Sequence, residues 1–265
     1  MADHRWNVAA YEAFSDLRQR PALDLLARVP PLGLGDVIDL GCGAGAVGPA
    51  LRARFPDHRL IGVDASPDML AKADGRGLYD RLMEADIAVW RPKRAPALIF
   101  SNAALHWLGD HGALIPRLLG MLAPDGALAI QMPDQLHRPS HRTMIEAAAK
   151  TRPDLFADWT PFPGPLPPGD YARLLAGAGH CDVWATEYWQ RLDTPADGGH
   201  PVRAFTSSTG ARPILAALDP AETARFNALW DEALDDAYPR AADGGAWFPF
   251  RRLFFVARRT ADNQH

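Results

Sequence analysis

Three aspartates stand at the ends of three short apolar runs: Asp39 in VIDL, Asp64 in LIGVD and Asp86 in LMEAD. The first leads at once into Gly41, Gly43 and Gly45, so the stretch reads Asp-Leu-Gly-Cys-Gly-Ala-Gly. A glycine turn between a strand and a helix lets backbone N–H groups approach a ligand at the positive end of the helix. Gly41-x-Gly43-x-x-Ala46 satisfies the dinucleotide fingerprint, and Asp64 lies near the ribose position about twenty residues on. A nicotinamide-dependent oxidoreductase is therefore one alternative. Asp39, however, would repel a pyrophosphate on the glycines and attract an ammonium, and a dinucleotide leaves Asp86 without a use. S-Adenosylmethionine offers a partner to each: an ammonium for Asp39, a ribose diol for Asp64 and the adenine amine for Asp86.

These acids need strands to hold them. The runs at 37–40, 60–64, 82–86, 97–103 and 127–132 are apolar throughout, which suits parallel strands covered on both faces. Helical patterns alternate with them, so the class is α/β with a doubly wound, mostly parallel sheet. RPALDLLARV (20–29) opens one helix, with Ala22, Leu23, Leu25, Leu26 and Val29 on one face and Pro21 in its first turn. In DASPDMLAKA, Ser66 is the expected cap, Pro67 the first helical residue and Asp68 a complement to the dipole. LAPDGAL (122–128) reads as a turn into the fifth strand.

Beyond residue 132 the pattern changes. Six prolines fall within 153–168, which argues for irregular structure there. A short helix in DYARLLAGAG, with Asp170 as cap, precedes a strand at 181–192, a helical stretch from about 200 to 240 and a last strand at 250–259. The expected organisation is a single domain. Residues 1–30 form an N-terminal lid and first helix, 31–135 a cofactor-binding core, and 136–265 the rest of the sheet with cap insertions near 137–168 and 195–245.

Composition narrows the function classes. The 265 residues are 48% hydrophobic with a net charge of −4 and scattered basic residues, which argues against a surface for nucleic acid or anionic membrane. Cys42 and Cys181 form no CxxC, so neither a disulfide framework nor a metal site is expected. No stretch reads as a signal peptide or bilayer span, and a soluble cytoplasmic protein is the expectation. Nothing in the composition fixes the oligomeric state.

On the motifs above, the chain resembles the class I S-adenosylmethionine-dependent methyltransferases, with Asp39–Gly45 matching the glycine motif, Asp64 the ribose acid and Asp86 the adenine acid. The resemblance implies a Rossmann-like seven-stranded sheet whose seventh strand enters antiparallel beside the sixth, with helical insertions forming a substrate cap. It also implies Ala65, Met69, Ile87 and Asn102 as further cofactor neighbours. RWNVAAYEAFSDLRQRPALDLLARVP, SNAALHWLGDH, QMPD, TGARP and RLFFVARR resemble, more narrowly, the branch of that family that esterifies a small polycarboxylate. Another small acceptor is the alternative.

That chemistry would pass a methyl group to a carboxylate oxygen. Carboxylic acids titrate near pH 4, so the nucleophile is already ionised and no general base, hence no catalytic side chain, is expected. The acceptor's charge calls for arginines, whose planar fork suits carboxylates. Arg212 in TGARP and Arg252 in RRLFFV are the leading candidates, with Arg138 and Arg251 behind them and Ser208 and Thr209 as hydroxyl donors. His106 and Trp107 would wall the acceptor pocket beside Asn102, which would hold the methionyl part. Trp6, Tyr11 and Arg20 belong to the expected lid, where Arg20 would pair the methionyl carboxylate. Cys42 reads as a small apolar residue.

Overall fold

The computed structural model describes residues 15–259, with side chains from residue 19. Strands β1 (Val37–Leu40), β2 (Leu60–Asp64), β3 (Arg81–Glu84), β4 (Leu98–Asn102), β5 (Ala127–Pro133), β6 (His180–Leu192) and β7 (Ala246–Arg258) form one sheet in the order β3-β2-β1-β4-β5-β7-β6. β1 to β5 run parallel, and β7 pairs antiparallel with β5 from Ala127↔Arg258 to Pro133↔Arg252. The resemblance implied this antiparallel entry. β1, β2, β4 and β5 match the apolar runs closely, because a strand buried on both faces has no polar alternation to blur its ends. β3 stops at Glu84, so Asp86 lies just past the strand, not at its last position.

The chain divides into two compact units. One comprises Gln19–Pro133, Gly164–Thr186 and the residues from Arg252; the other holds Asp134–Pro163 and Glu187–Arg251. In the first, Ile38, Leu40, Ile99, Leu128, Ile130, Leu253 and Phe255 bury one sheet face against Leu114, Ile115 and Leu118 of α4 (His111–Gly120). Helix α1 (Ser15–Ala27) begins earlier than the sequence predicts, which places Pro21 inside it. An interior proline costs roughly 3 kcal/mol. Leu25 and Leu26, both buried, return roughly 1.5–3 kcal/mol each, so the helix continues. Leu23 is half-exposed rather than on the buried face, since 100° per residue turns it away from Ala22 and Leu26.

Two short helices follow the glycine loop and β2: α2 (Gly48–Arg54) and α3 (Pro67–Asp74). Ser66 caps α3 by accepting from the Met69 N–H, with Pro67 first in the helix, as predicted. In the second unit, α5 (Pro139–Thr151) packs with α8 (Pro201–Ser207), α9 (Arg212–Ala217) and α10 (Pro220–Ala237) around Met144, Phe205, Phe226, Trp230 and Phe248. The proline-rich stretch is not wholly irregular. Pro153 opens one helical turn, α6 (Pro153–Phe156), and Pro168 opens α7 (Pro168–Leu174), because proline's fixed φ suits a first helical position. Asp170 accordingly lies in the first turn of α7 and not at its cap.

Candidate functional site

The strand order reverses between β1 and β4, and in such sheets ligands bind outside the carboxyl ends of the strands at that point. The glycine loop leaves β1 there. The Gly41 N–H donates to the Val63 carbonyl at 2.7 Å and the Cys42 N–H to the same oxygen at 3.1 Å. Gly41 has φ +77°, and a Cβ on it would stand 2.3 Å from the Ala104 Cβ. Gly43 has φ +53°, and no atom of the described residues lies within 4 Å of where its Cβ would stand. Gly45 continues the loop, its N–H donating to the Cys42 carbonyl at 2.9 Å.

Asp64 ties this loop to the next helix. Its Oδ2 accepts from the Gly43 N–H at 2.8 Å and its Oδ1 from the Ser66 N–H at 2.9 Å. Each carboxylate oxygen keeps a further lone pair, which suits a diol. Ala65 is exposed and Met69 half-buried on the first turn of α3. Asp86 is exposed, with Oδ1 accepting from the Ala88 N–H at 2.8 Å. The Ile87 carbonyl is held by Arg117 Nη2 at 2.8 Å, and its Cδ1 lies 3.3 Å from the place a Gly41 Cβ would occupy.

Asp39 is almost fully buried, and the Tyr79 hydroxyl donates to its Oδ2 at 2.6 Å. Burial raises its pKa to about 7; the Tyr79 hydrogen bond pulls it back, and the nearby Asp64 charge adds to the rise. The Tyr79 phenol and the Cys42 thiol are pushed far up, chiefly by burial and then by the Asp39 charge, so both keep their protons. The Tyr79 ring also fills the space over Gly45 and Gly62, where a Cβ would sit 3.0 Å from it. Sequence reasoning missed Tyr79, since it lies in the irregular loop before β3, forty residues from its partner.

At the end of β4, the Asn102 Oδ1 is buried and has no hydrogen-bond partner among the described residues. Asp39 and Asn102 thus offer lone pairs and would suit a cation better than a phosphate. Ala103 follows with φ +53°, an uncommon conformation for a residue with a side chain. It turns the chain into the Leu105–Trp107 3₁₀ turn. Beneath that turn, His111 donates from Nε2 to the Leu105 carbonyl at 2.9 Å and accepts at Nδ1 from the Tyr171 hydroxyl. Burial lowers the His111 pKa, which favours the neutral ring this arrangement requires. His106 is buried with its ring 4.7 Å from that of Trp107, and its carbonyl accepts from the Gly164 N–H at 3.2 Å. Trp107 is partly exposed.

Arg252 is buried on β7, opposite Pro133, and Arg20 is exposed on α1; both belong to the first unit. Tyr11 and Trp6 lie outside the described residues. Ser208, Thr209 and Arg212 belong to the second unit. There the Ser208 hydroxyl donates to the Phe205 carbonyl at 2.7 Å and that of Thr209 to Thr206 at 3.4 Å. Arg212 opens α9, half-buried. The two reserve candidates are engaged within the second unit: Arg251 Nε donates to Asp134 at 2.7 Å, and Arg138 lies 3.6 Å from Glu187.

Known proteins are similar at two levels. A family model described as a methyltransferase domain matches residues 11–192. Among solved structures, the YcgJ protein from Bacillus subtilis has a TM-score of 0.59 at 14% identity, covering 92% of this chain and 99% of that one. A Bacillus halodurans protein described as a methyltransferase has a TM-score of 0.57 at 13% identity, covering 91% and 100%. At such identities the likeness concerns the fold. Sequence relatives reach further. A trans-aconitate 2-methyltransferase of Methylobacterium radiotolerans is 46% identical over 98% of this chain and 100% of its own length. That of Paracidovorax citrulli is 43% identical over 97% and 100%. That of Escherichia fergusonii is 38% identical over 96% and 98%. With the parallel sheet, the glycine loop and the strand-end acids in place beneath them, these full-length matches put the chain in the trans-aconitate 2-methyltransferase family.

Proposed function

We propose that the protein transfers a methyl group from S-adenosylmethionine to one carboxylate of trans-aconitate, giving the monomethyl ester and S-adenosylhomocysteine, as a soluble cytoplasmic enzyme. The observation that carries this is full-length identity of 38–46% to relatives of that name, on a chain whose strand ends supply lone pairs where the cofactor would need them. The buried Asp39 and the Asn102 Oδ1, which no described residue bonds, fit the cofactor's ammonium. Asp64 suits the ribose diol and Asp86 the adenine amine, with Ala65, Met69 and Ile87 beside them; Arg20 and Tyr11 are kept for the methionyl end.

The cofactor supplies the methyl group and a leaving sulfide. A carboxylate oxygen forms the new C–O bond as the C–S bond breaks, and the bonding pair stays on sulfur. No proton moves. The protein's share is to hold the oxygen in line and to keep water off it; of these, orientation is the better-founded contribution. Arg212 and Arg252 are kept as counter-charges to the acceptor, and His106 and Trp107 as its neighbours. Ser208 and Thr209 now give their protons to helix carbonyls, so an acceptor carboxylate would have to compete for them.

Turnover by the full chain, followed by mass spectrometry with trans-aconitate, cis-aconitate, citrate and isocitrate in separate runs, tests this. The expected result is a methyl ester from trans-aconitate well above the others. Arg212→Ala should then raise the acceptor KM at least thirtyfold, since losing one partner of a desolvated charge pair costs roughly 2–5 kcal/mol. Ester from none of the acids would turn the assignment toward a different small acceptor, and an unmoved KM in that variant would take Arg212 out of the acceptor site.

A further inference from the structure

Gln131 is the one strongly polar residue in the apolar run ALAIQM of β5, and it opens the QMPD motif. It is completely buried, and among the described residues neither its side-chain oxygen nor its side-chain nitrogen has a hydrogen-bond partner. A buried amide left in that state lowers stability, whereas an apolar side chain of equal length would not. A glutamine kept for structural reasons would be bonded to backbone or to a neighbouring side chain.

Its position says what it faces. Gln131 is in register with Asn102 on β4, and residues in register share a sheet face. Asp39 lies on that face too, through the register Asp39↔Phe100 and Phe100↔Ala129. On the other side, Gln131 stands opposite Phe254, and the buried Arg252 follows two residues along the same face. Asn102 and Gln131 therefore stand side by side at the carboxyl ends of β4 and β5, with Phe254 of the antiparallel β7 level with them, Arg252 one step further out on β7, and Phe100, Ala129 and Val256 beneath. β5 lies two strand spacings from β1, roughly 10 Å, so Gln131 stands beyond the glycine loop and Asn102.

We propose that Gln131 binds the acceptor, its Nε2 donating a hydrogen bond to the carboxylate that receives the methyl group. This rests on the ester-forming function above. A neutral amide orients one oxygen while leaving the other more nucleophilic than an arginine in direct contact would, because charge-assisted hydrogen bonds are about twice as strong.

The test uses the full chain carrying Gln131→Met or Gln131→Glu. Acceptor KM and kcat are measured with trans-aconitate, S-adenosylhomocysteine affinity by calorimetry, and Tm without ligands. Gln131→Met should match or exceed the wild-type Tm while raising the acceptor KM at least tenfold. Gln131→Glu keeps the oxygens, loses the donor and sets a charge against the acceptor. It should raise KM further and leave S-adenosylhomocysteine affinity within threefold. An acceptor KM within twofold of wild type in both variants overturns the role, as does a Tm lowered by Gln131→Met, which would mark a structural amide. Wild-type turnover is scored separately: a wild type that esterifies no trans-aconitate overturns the acceptor assignment and this proposal together, whereas an active one isolates Gln131.

Discussion

Gly41→Ala is expected to lower Tm by roughly 6–12 °C and to abolish cofactor binding, while Gly43→Ala lowers Tm by only about 2–4 °C, from about 1 kcal/mol of φ penalty, and weakens the cofactor at least tenfold. The two glycines sit in one loop and both have positive φ, at +77° and +53°. Their surroundings differ. The added methyl at Gly41 would stand 2.3 Å from the Ala104 Cβ, which is fixed to the backbone and cannot swing aside. Relief requires moving the Asn102–Trp107 segment, already held at Ala103 in a left-handed conformation and tied beneath by His111. A left-handed L-residue costs about 1–2 kcal/mol and overpacking about 1–3 more. A sum near 3 kcal/mol corresponds to the Tm change stated, at roughly 2–4 °C per kcal/mol for a chain of this size. At Gly43 the methyl meets no atom of the described residues, and only the φ penalty, about 1 kcal/mol, remains. It enters the space assigned to the cofactor, however. Differential scanning calorimetry with and without S-adenosylhomocysteine separates the two effects. Unchanged affinity in Gly43→Ala would show that the ligand does not lie against that peptide.

The contrast between these glycines also marks the limit of what the sequence displays. Strand runs such as VIDL and LIGVD are legible because continuous burial writes itself as continuous apolarity, and Ser66-Pro67 because capping is local. Asp39, Asp64 and Asp86 stand out because each closes a short apolar run, and the glycine loop because its spacing is local. Pro21 was misplaced because the burial that carries α1 through it comes from tertiary packing, which a local proline rule does not include. Leu23 was assigned to the wrong side because a five-residue stripe is wider than one helix face. Tyr79 has no local signal at all: its partner Asp39 is reached only when β1 and the loop before β3 come together. Gln131 did carry a signal, a lone amide in an apolar strand, but which face it shares depends on the register with Asn102.

Affinity for S-adenosylmethionine is expected to fall as pH drops below about 7, and Tyr79→Phe should move that midpoint upward by about one to two pH units. The cause is Asp39. Without ligand its pKa stands at about 7, raised mainly by burial and held down by the Tyr79 hydroxyl. Only the ionised form can accept an ammonium as a charge partner, so below pH 7 each unit should cost close to tenfold in Kd. Above pH 8 the ligand's own α-amino group loses its proton, since such groups titrate near 7.7–8.0. The affinity maximum therefore falls between the two. Binding at pH 7 should release protons, seen as a dependence of the calorimetric heat on buffer ionisation enthalpy. Removing the Tyr79 hydroxyl removes a hydrogen bond to a charged group, worth about 1.5–3 kcal/mol, and one pKa unit corresponds to about 1.4 kcal/mol. Stability without ligand follows the opposite course. A folded-state pKa above the unfolded value near 4 means the native protein binds the extra proton, so the Asp39 contribution is present below pH 4 and is lost as pH rises to about 7. Asp39→Asn should accordingly gain stability over wild type most clearly at pH 8, lose the acid limb of the affinity profile, and bind S-adenosylmethionine at least thirtyfold more weakly there, from about 2 kcal/mol of lost charge pairing. A wild-type Kd that stays level from pH 5.5 to 8 would place the cofactor's ammonium away from Asp39.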